Sequence, residues 1–152
     1  MVTKISVLAL MIMIHFTSAF PTLVPQKRAS SNGTIYSGVA TVNPNPTGAL
    51  GSCGVDSPDS SMTVAISNYF MDNESPAPYC GKKIKLTNVG PTTDESIGGA
   101  GNSVTVTVED TCPGCNEGHL DLSVAAWETL TNNALYSVVG ISWYFCEASD
   151  DC

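Results

Sequence analysis

The chain has 152 residues, with 14 acids against 6 bases, and a formal net charge of −8. Beyond Arg28 the only bases are Lys82, Lys83 and Lys85, while all of the acids lie in that part. So acidic a surface repels phosphate backbones, which argues against nucleic acid and leaves neutral or cationic partners.

The chain opens with Lys4, an apolar run from Ile5 to Phe16, and the small residues Thr17-Ser18-Ala19. A charged start, a short apolar core and small residues before a cut define a secretory signal peptide over residues 1–19. The alternative, a membrane anchor, wants a longer apolar run, so no membrane association is expected after cleavage. Residues 20–28 end in the dibasic pair Lys27-Arg28 and read either as a propeptide with a processing site or as a basic linker. Residues 29–152 then suit a single extracellular domain with its core at roughly 35–146, expected as a monomer. Asn32-Gly33-Thr34 and Asn73-Glu74-Ser75 are glycosylation sequons, the second weakened by Pro76.

Tyr36 to Val42 alternates as a strand, with Gly38 as a bulge or a point of close approach. Asn43 to Gly48 carries two prolines and must be a loop. Met62 to Ile66 reads as a short buried strand, and Ser67 to Met71 as one helical turn capped by Ser67. Lys82 to Val89 alternates clearly. Pro91 to Asn102, with three glycines, reads as a mobile loop. Ser103 to Glu109 is the cleanest strand, delivering Asp110 at its end. Ser123 to Leu130 is the one convincing helix, capped by Ser123, with Val124, Trp127 and Leu130 on one face. Leu135 to Phe145 is a final strand, with Gly140 a candidate bulge. Short strands, one clear helix and Gly/Pro-rich loops mean a small closed barrel or a sandwich.

Cys53, Cys80, Cys112, Cys115, Cys146 and Cys152 form an even set behind a signal peptide, which points to disulfides. The single CxxC has one nearby histidine and no second Cys pair at finger spacing, so no metal is expected. No cofactor is expected either. The Cys112-Pro113-Gly114-Cys115 spacing also occurs in redox motifs, but the glycine-rich continuation favours a turn, with one local disulfide or two separately paired cysteines.

The chemistry-bearing stretch is Val104 to Trp127, VTVTVEDTCPGCNEGHLDLSVAAW. A carboxylate at Asp110, leaving a buried strand, would be partly desolvated and suited to hold a proton. Asp121, before a helix N-terminus, sits where the dipole favours negative charge. Two carboxylates in unlike surroundings are the raw material for acid/base work on a glycosidic bond. The plainer alternative is structural: Asp121 stabilising the helix start and Asp110 accepting backbone N–H bonds. His119 reads as a loop residue lining the same groove. Trp127 and Trp143 fall on apolar faces and belong to the core, while Tyr36 and Tyr144 are the better candidates for an exposed sugar-binding face.

Taken together, SGVATVNP, GALGSCG, MTVAIS, YCGKKIKLTN, SVTVTVEDTCPGC, HLDLSVAAWETL and GISWYF resemble, in order, the secreted double-psi β-barrel family of barwin-like proteins, expansin first domains, kiwellins and rare-lipoprotein-A-like proteins. The small single-domain fungal members are most similar. The resemblance implies a mainly β fold: a six-stranded double-psi β-barrel with one or two short helices, stabilised by disulfides. It implies a shallow groove holding Asp110 and Asp121, with HLD, and so His119, standing where expansins carry a similar His-Phe-Asp. Tyr36 and Thr41 are read as further candidate ligand-binding residues. It also suggests Cys53–Cys80 by analogy with barwin. The barwin-type partners of the later cysteines are missing, and local pairs, Cys112–Cys115 and Cys146–Cys152, are expected.

Two departures bear on activity. Related family-45 endoglucanases carry a general-base aspartate in the first strand–loop region, whereas ATVNPNPTG here has no acid before Asp56. The aromatic-rich second domain of expansins has no counterpart in the sequence. The function expected is therefore a secreted, wall-associated, non-hydrolytic protein that binds cell-wall polysaccharide. A secreted effector that binds a host protein, or a cysteine-protease inhibitor, is the alternative, with loops Asn43–Gly48 and Pro91–Asn102 as the contact. A weak glycan-cleaving enzyme of lytic transglycosylase type is a third reading, with Asp110 and Asp121 then catalytic.

Overall fold

The computed structural model describes residues 33–72, 77–147 and 152. The expected signal peptide, the dibasic pair and both sequon asparagines, Asn32 and Asn73, lie outside the described residues.

Six strands close into a barrel: β1 (Tyr36–Val42), β2 (Thr63–Ser67), β3 (Lys83–Pro91), β4 (Ser103–Cys112), β5 (Leu120–Leu122) and β6 (Val139–Phe145). Their order around the barrel is β1-β5-β2-β4-β3-β6, with β6 pairing back onto β1. Two neighbouring pairs, β1·β5 and β2·β4, run parallel; the other four are antiparallel. The closed double-psi barrel removes the sandwich alternative and leaves no free sheet edge.

The alternation read in the sequence builds the core. Ile84 and Leu86 of β3, Val104, Val106 and Val108 of β4, and Ile141 and Trp143 of β6 all point inward and are buried. Helix α2 (Val124–Thr131) closes the barrel with Ala126, Trp127 and Leu130. Both tryptophans are fully buried, and each indole N–H reaches a backbone carbonyl: Trp127 to Ala134 O at 3.0 Å, Trp143 to Gly118 O at 3.1 Å. A buried indole needs such a partner, and its burial contributes several kcal/mol, about 3–5 by the usual cost of truncating it.

Helix α1 (Asn68–Met71) is the single turn expected, and the Ser67 hydroxyl accepts from the Tyr69 N–H at 3.1 Å. Ser123 stands at the N-cap of α2 but does not cap it by side chain. Its hydroxyl donates to Ser61 O at 2.5 Å and accepts from Thr63 N at 3.2 Å, tying the helix start to β2 instead.

Gly38 is a point of close approach rather than a bulge: a Cβ there would collide with the Gly118 carbonyl oxygen. The bulge expected at Gly140 lies across from it in β3, where the register skips Val89 between Asn88 and Gly90. The 92–102 loop, expected to be mobile, is anchored. Ile97 is buried, and the buried Asn88 amide donates to Gly98 O at 2.9 Å and Leu130 O at 3.1 Å. All three expected disulfides are present: Cys53–Cys80, Cys112–Cys115 and Cys146–Cys152.

Candidate functional site

Strand β4 does not stop at Glu109, as its alternation suggested, but runs on to Cys112 with an irregularity inside it. Val64 pairs with Val108, and the next residue, Ala65, pairs with Asp110. Glu109 is therefore an extra residue on β4. By strict alternation, position 110 would follow Val104, Val106 and Val108 into the core. The inserted Glu109 inverts the parity and turns Asp110 outward, the use to which bulges near functional sites are commonly put.

Asp121 is not a helix-capping residue either. Leu120 to Leu122 forms the short strand β5, with Leu120 and Leu122 buried and Asp121 facing out between them. Three residues are too few to show a period, so the strand was hidden in the run toward α2. Ala65 pairs with Asp121 as well as with Asp110, and Asp121 pairs in turn with Thr41 on β1. A single row, Thr41–Asp121–Ala65–Asp110, thus crosses four adjacent strands. Two strand spacings separate the carboxylate-bearing backbones, about 10 Å.

Asp121, Ala65 and Asp110 of this row line a shallow cleft of about 160 Å³, while Thr41 stands outside its lining. Ala65 and Thr63 lie between them, Asn43, Pro44 and Asn45 form one rim, and Ala49, Leu50 and Gly51 form the other. The second rim lies directly on the bulge. Cys53 N donates to Glu109 O at 3.3 Å, and Ser52 N donates to Asp110 Oδ1 at 2.7 Å. Gly51 is required for this approach, since a Cβ there would meet the Glu109 carbonyl oxygen and sit 3.0 Å from the Asp110 Cβ. Thr111 N adds a second donor to Asp110 Oδ1 at 2.8 Å. The Ser57 hydroxyl donates to Glu109 Oε2, and Asp59 Oδ1 accepts from Asn45 N at 2.5 Å, fixing the opposite rim.

Behind Asp121 runs a short relay. The Thr41 hydroxyl donates to Asp121 Oδ1 at 2.6 Å and lies 2.8 Å from His119 Nε2. Thr41 has one proton, and it goes to the carboxylate; Nε2 of His119 must then carry the hydrogen that Thr41 Oγ1 accepts. His119 therefore does not line the acidic cleft as expected, but reaches it through Thr41.

Tyr36 is placed elsewhere. It stacks on Trp143 with centroids 4.3 Å apart and meets Phe70 and Phe145 edge-on. It lines a separate concavity with Tyr79, Lys82, Lys83 and Phe145, because the first residue of β1 emerges at the end of the strand remote from Thr41. Burial first, and the nearby Glu117 carboxylate second, raise the Tyr36 phenol above its ordinary value. Tyr144 is half-buried on β6.

Both aspartates accept hydrogen bonds from N–H or O–H donors. A carboxylic acid poised to protonate a leaving oxygen is more typically set in an apolar pocket. In this cleft the geometry suits holding a polar ligand by charge-assisted hydrogen bonds.

The barrel and its outward pair of acids define an expansin-like double-psi β-barrel. The chain belongs to the EXPB1-like domain 1 family, whose model matches residues 31–137. Among solved structures it is similar to the Streptomyces papain inhibitor, at 28% identity and a TM-score of 0.56, over 75% of this chain and 96% of the inhibitor. It is also similar to an expansin of Clavibacter michiganensis, at 27% identity and a TM-score of 0.56, over 77% of this chain and 52% of the expansin. A mutant of that expansin in complex with cellohexaose matches at 26% identity and a TM-score of 0.55, over 78% and 54% of the two chains. The chain spans about half the length of these expansins. No curated protein matches it.

Proposed function

We propose that this is a secreted, wall-associated protein that holds a polysaccharide chain in the cleft without hydrolysing it. The observation that carries this reading is the common register of Asp110 and Asp121 on either side of Ala65, which turns both carboxylates into one open cleft. Asp110 and Asp121 accept sugar hydroxyls, and Thr41 and His119 fix the Asp121 carboxylate. Thr41 stands in β1, where an inverting hydrolase of this fold would want a second acid, and a threonine hydroxyl is no general base at neutral pH. The cellohexaose complex of the similar expansin supports a glycan as ligand. Among the described residues no helix is long and apolar enough to cross a membrane. The test is retention on insoluble chitosan, chitin, cellulose and β-glucan, with soluble sugar assayed alongside. The wild type is expected to be retained on at least one without releasing sugar, and an Asp110→Asn/Asp121→Asn double variant is expected to wash through. No retention on any matrix, or equal retention of the double variant, would overturn the reading.

A second reading rests on the Streptomyces papain inhibitor, nearly all of whose chain is matched. The loops following β1 and β3 leave the barrel at the same end, where Val139 pairs with both Ala40 and Pro91. Together they would present one contact surface to a protease or other secreted protein. Inhibition of papain, lost on shortening the 92–102 loop and kept by the Asp110→Asn/Asp121→Asn variant, would favour this reading.

A further inference from the structure

We infer that the ligand of the cleft is a cationic polysaccharide, a 1,4-linked chain bearing free amino groups, rather than a neutral glucan. The inference rests on the reading of the cleft as a glycan groove and names the chemistry of what fills it. Three carboxylates, Glu109, Asp110 and Asp121, line the cleft, and no lysine, arginine, histidine or aromatic residue is among the lining residues. Asp59 stands close behind one rim, bonded to Asn45 N, and the Asp56 carboxylate lies against Gly48. The lysines of the described residues, Lys82, Lys83 and Lys85, all lie at or on the start of β3, and two of them line the other concavity.

A neutral sugar chain gains most of its affinity from flat aromatic faces, with hydrogen bonds supplying orientation. Among the described residues no aromatic ring lines the cleft: Trp127 and Trp143 are buried, and Tyr36 is stacked on Trp143 in the other concavity. A neutral chain in this cleft would exchange hydrogen bonds with water for hydrogen bonds with carboxylates, at little net gain. An ammonium group changes the balance, because N⁺–H···O⁻ bonds are roughly twice as strong as neutral ones. Spacing agrees as well. In an extended twofold 1,4-linked chain, the amino groups of every second sugar point to the same side. That repeat matches the separation of the Asp110 and Asp121 backbones, about 10 Å across two strand spacings.

The experiment compares the hexamers of glucosamine, N-acetylglucosamine and glucose by titration calorimetry with the secreted protein, at mildly acidic pH. A charge control, Glu95→Gln/Glu128→Gln, removes two exposed acids outside the cleft. The glucosamine hexamer is expected to bind more than tenfold tighter than the other two. That preference should collapse in 1 M salt, where screening is nearly complete beyond about 3 Å. It should also be lost in Asp110→Asn/Asp121→Asn and kept in the charge control. Equal binding of all three hexamers would overturn the inference and leave the glycan-groove reading standing. Loss of the preference in the charge control to the same degree would also overturn it, assigning the attraction to the whole surface. Binding of none of them would remove both readings.

Discussion

Asp110 and Asp121 lie on strands that do not pair with each other, yet both are in register with the same residue, Ala65 of the strand between them. The methyl group of Ala65 is therefore the only side chain separating the two on the cleft floor row. Ala65→Val is expected to keep the barrel, at a cost of about 1 kcal/mol for overfilling a nearly closed position. The added methyls should narrow the floor and weaken glycan retention about tenfold, while the carboxylates stay intact. A binding isotherm beside a denaturant melt separates the two effects.

Gly51 lets the second rim rest on the bulge. Gly51→Ala places a methyl against the Glu109 carbonyl and within 3.0 Å of the Asp110 Cβ, so the loop must lift away. The Ser52 N–H bond to Asp110 goes with it. Expected are a stability loss of about 1–3 kcal/mol and a binding loss as large as that of Asp110→Asn. Normal binding by this variant would show that the rim contributes nothing to the site.

The relay behind Asp121 fixes a proton position that can be read directly. Nitrogen chemical shifts of His119 should report a ring with its hydrogen on Nε2. Thr41→Val removes the hydroxyl that joins the ring to the carboxylate. That tautomer preference should then disappear and glycan affinity should fall, while Thr41→Ser restores both. The stability cost is expected to be about 1 kcal/mol, since both partners are half-buried and can turn to water.

Asn88 is the structural counterpart of these residues at the α2 end of the molecule. Its amide donates to Gly98 and Leu130 carbonyls, and its oxygen accepts from Gly90 N at 2.8 Å. Asn88→Leu strands Gly90 N and Leu130 O in a buried place, frees the Gly98 carbonyl at its edge, and is expected to cost about 2–4 kcal/mol. Urea unfolding measures the loss. The cleft between Asp110 and Asp121, formed by other residues, should keep its ligand affinity in the folded fraction.

Tyr36 gives the pH prediction. Its raised phenol stabilises the fold fully below the ordinary tyrosine value and loses that contribution as pH rises through the folded value. Absorbance titration should show one tyrosine ionising late, and Tyr36→Phe should remove that step.

The strands that alternate over five or more residues, β1, β3, β4 and β6, were legible in the sequence, as were the two core tryptophans and the short apolar β2. The cleft residues were legible as residue types but not as geometry. The outward turn of Asp110 depends on one unpaired residue, Glu109, and a bulge leaves no mark on a hydrophobic pattern that has already ended at Val108. Strand β5 was invisible because Leu120, Asp121 and Leu122 fit the approach to a helix as well as they fit a strand. Tyr36 lies away from the acid pair, which aromatic type alone could not show, since it says nothing about which end of a strand faces the groove. Asn88 lay in a clear strand, but nothing in its neighbourhood marked an amide that the Gly98 and Leu130 carbonyls need.

The two parallel pairings also bear on how the molecule comes to exist. Thr41 and Asp121 are 80 positions apart in the chain, and they meet only when β5 slots beside β1. Contacts between such remote segments form slowly, since the loop must close before anything rewards it. The carboxylate pair therefore needs the chain through β5, and a nascent chain short of Leu122 has no cleft at all. Any ligand that needs both carboxylates would then report completed threading, and would separate finished molecules from trapped intermediates.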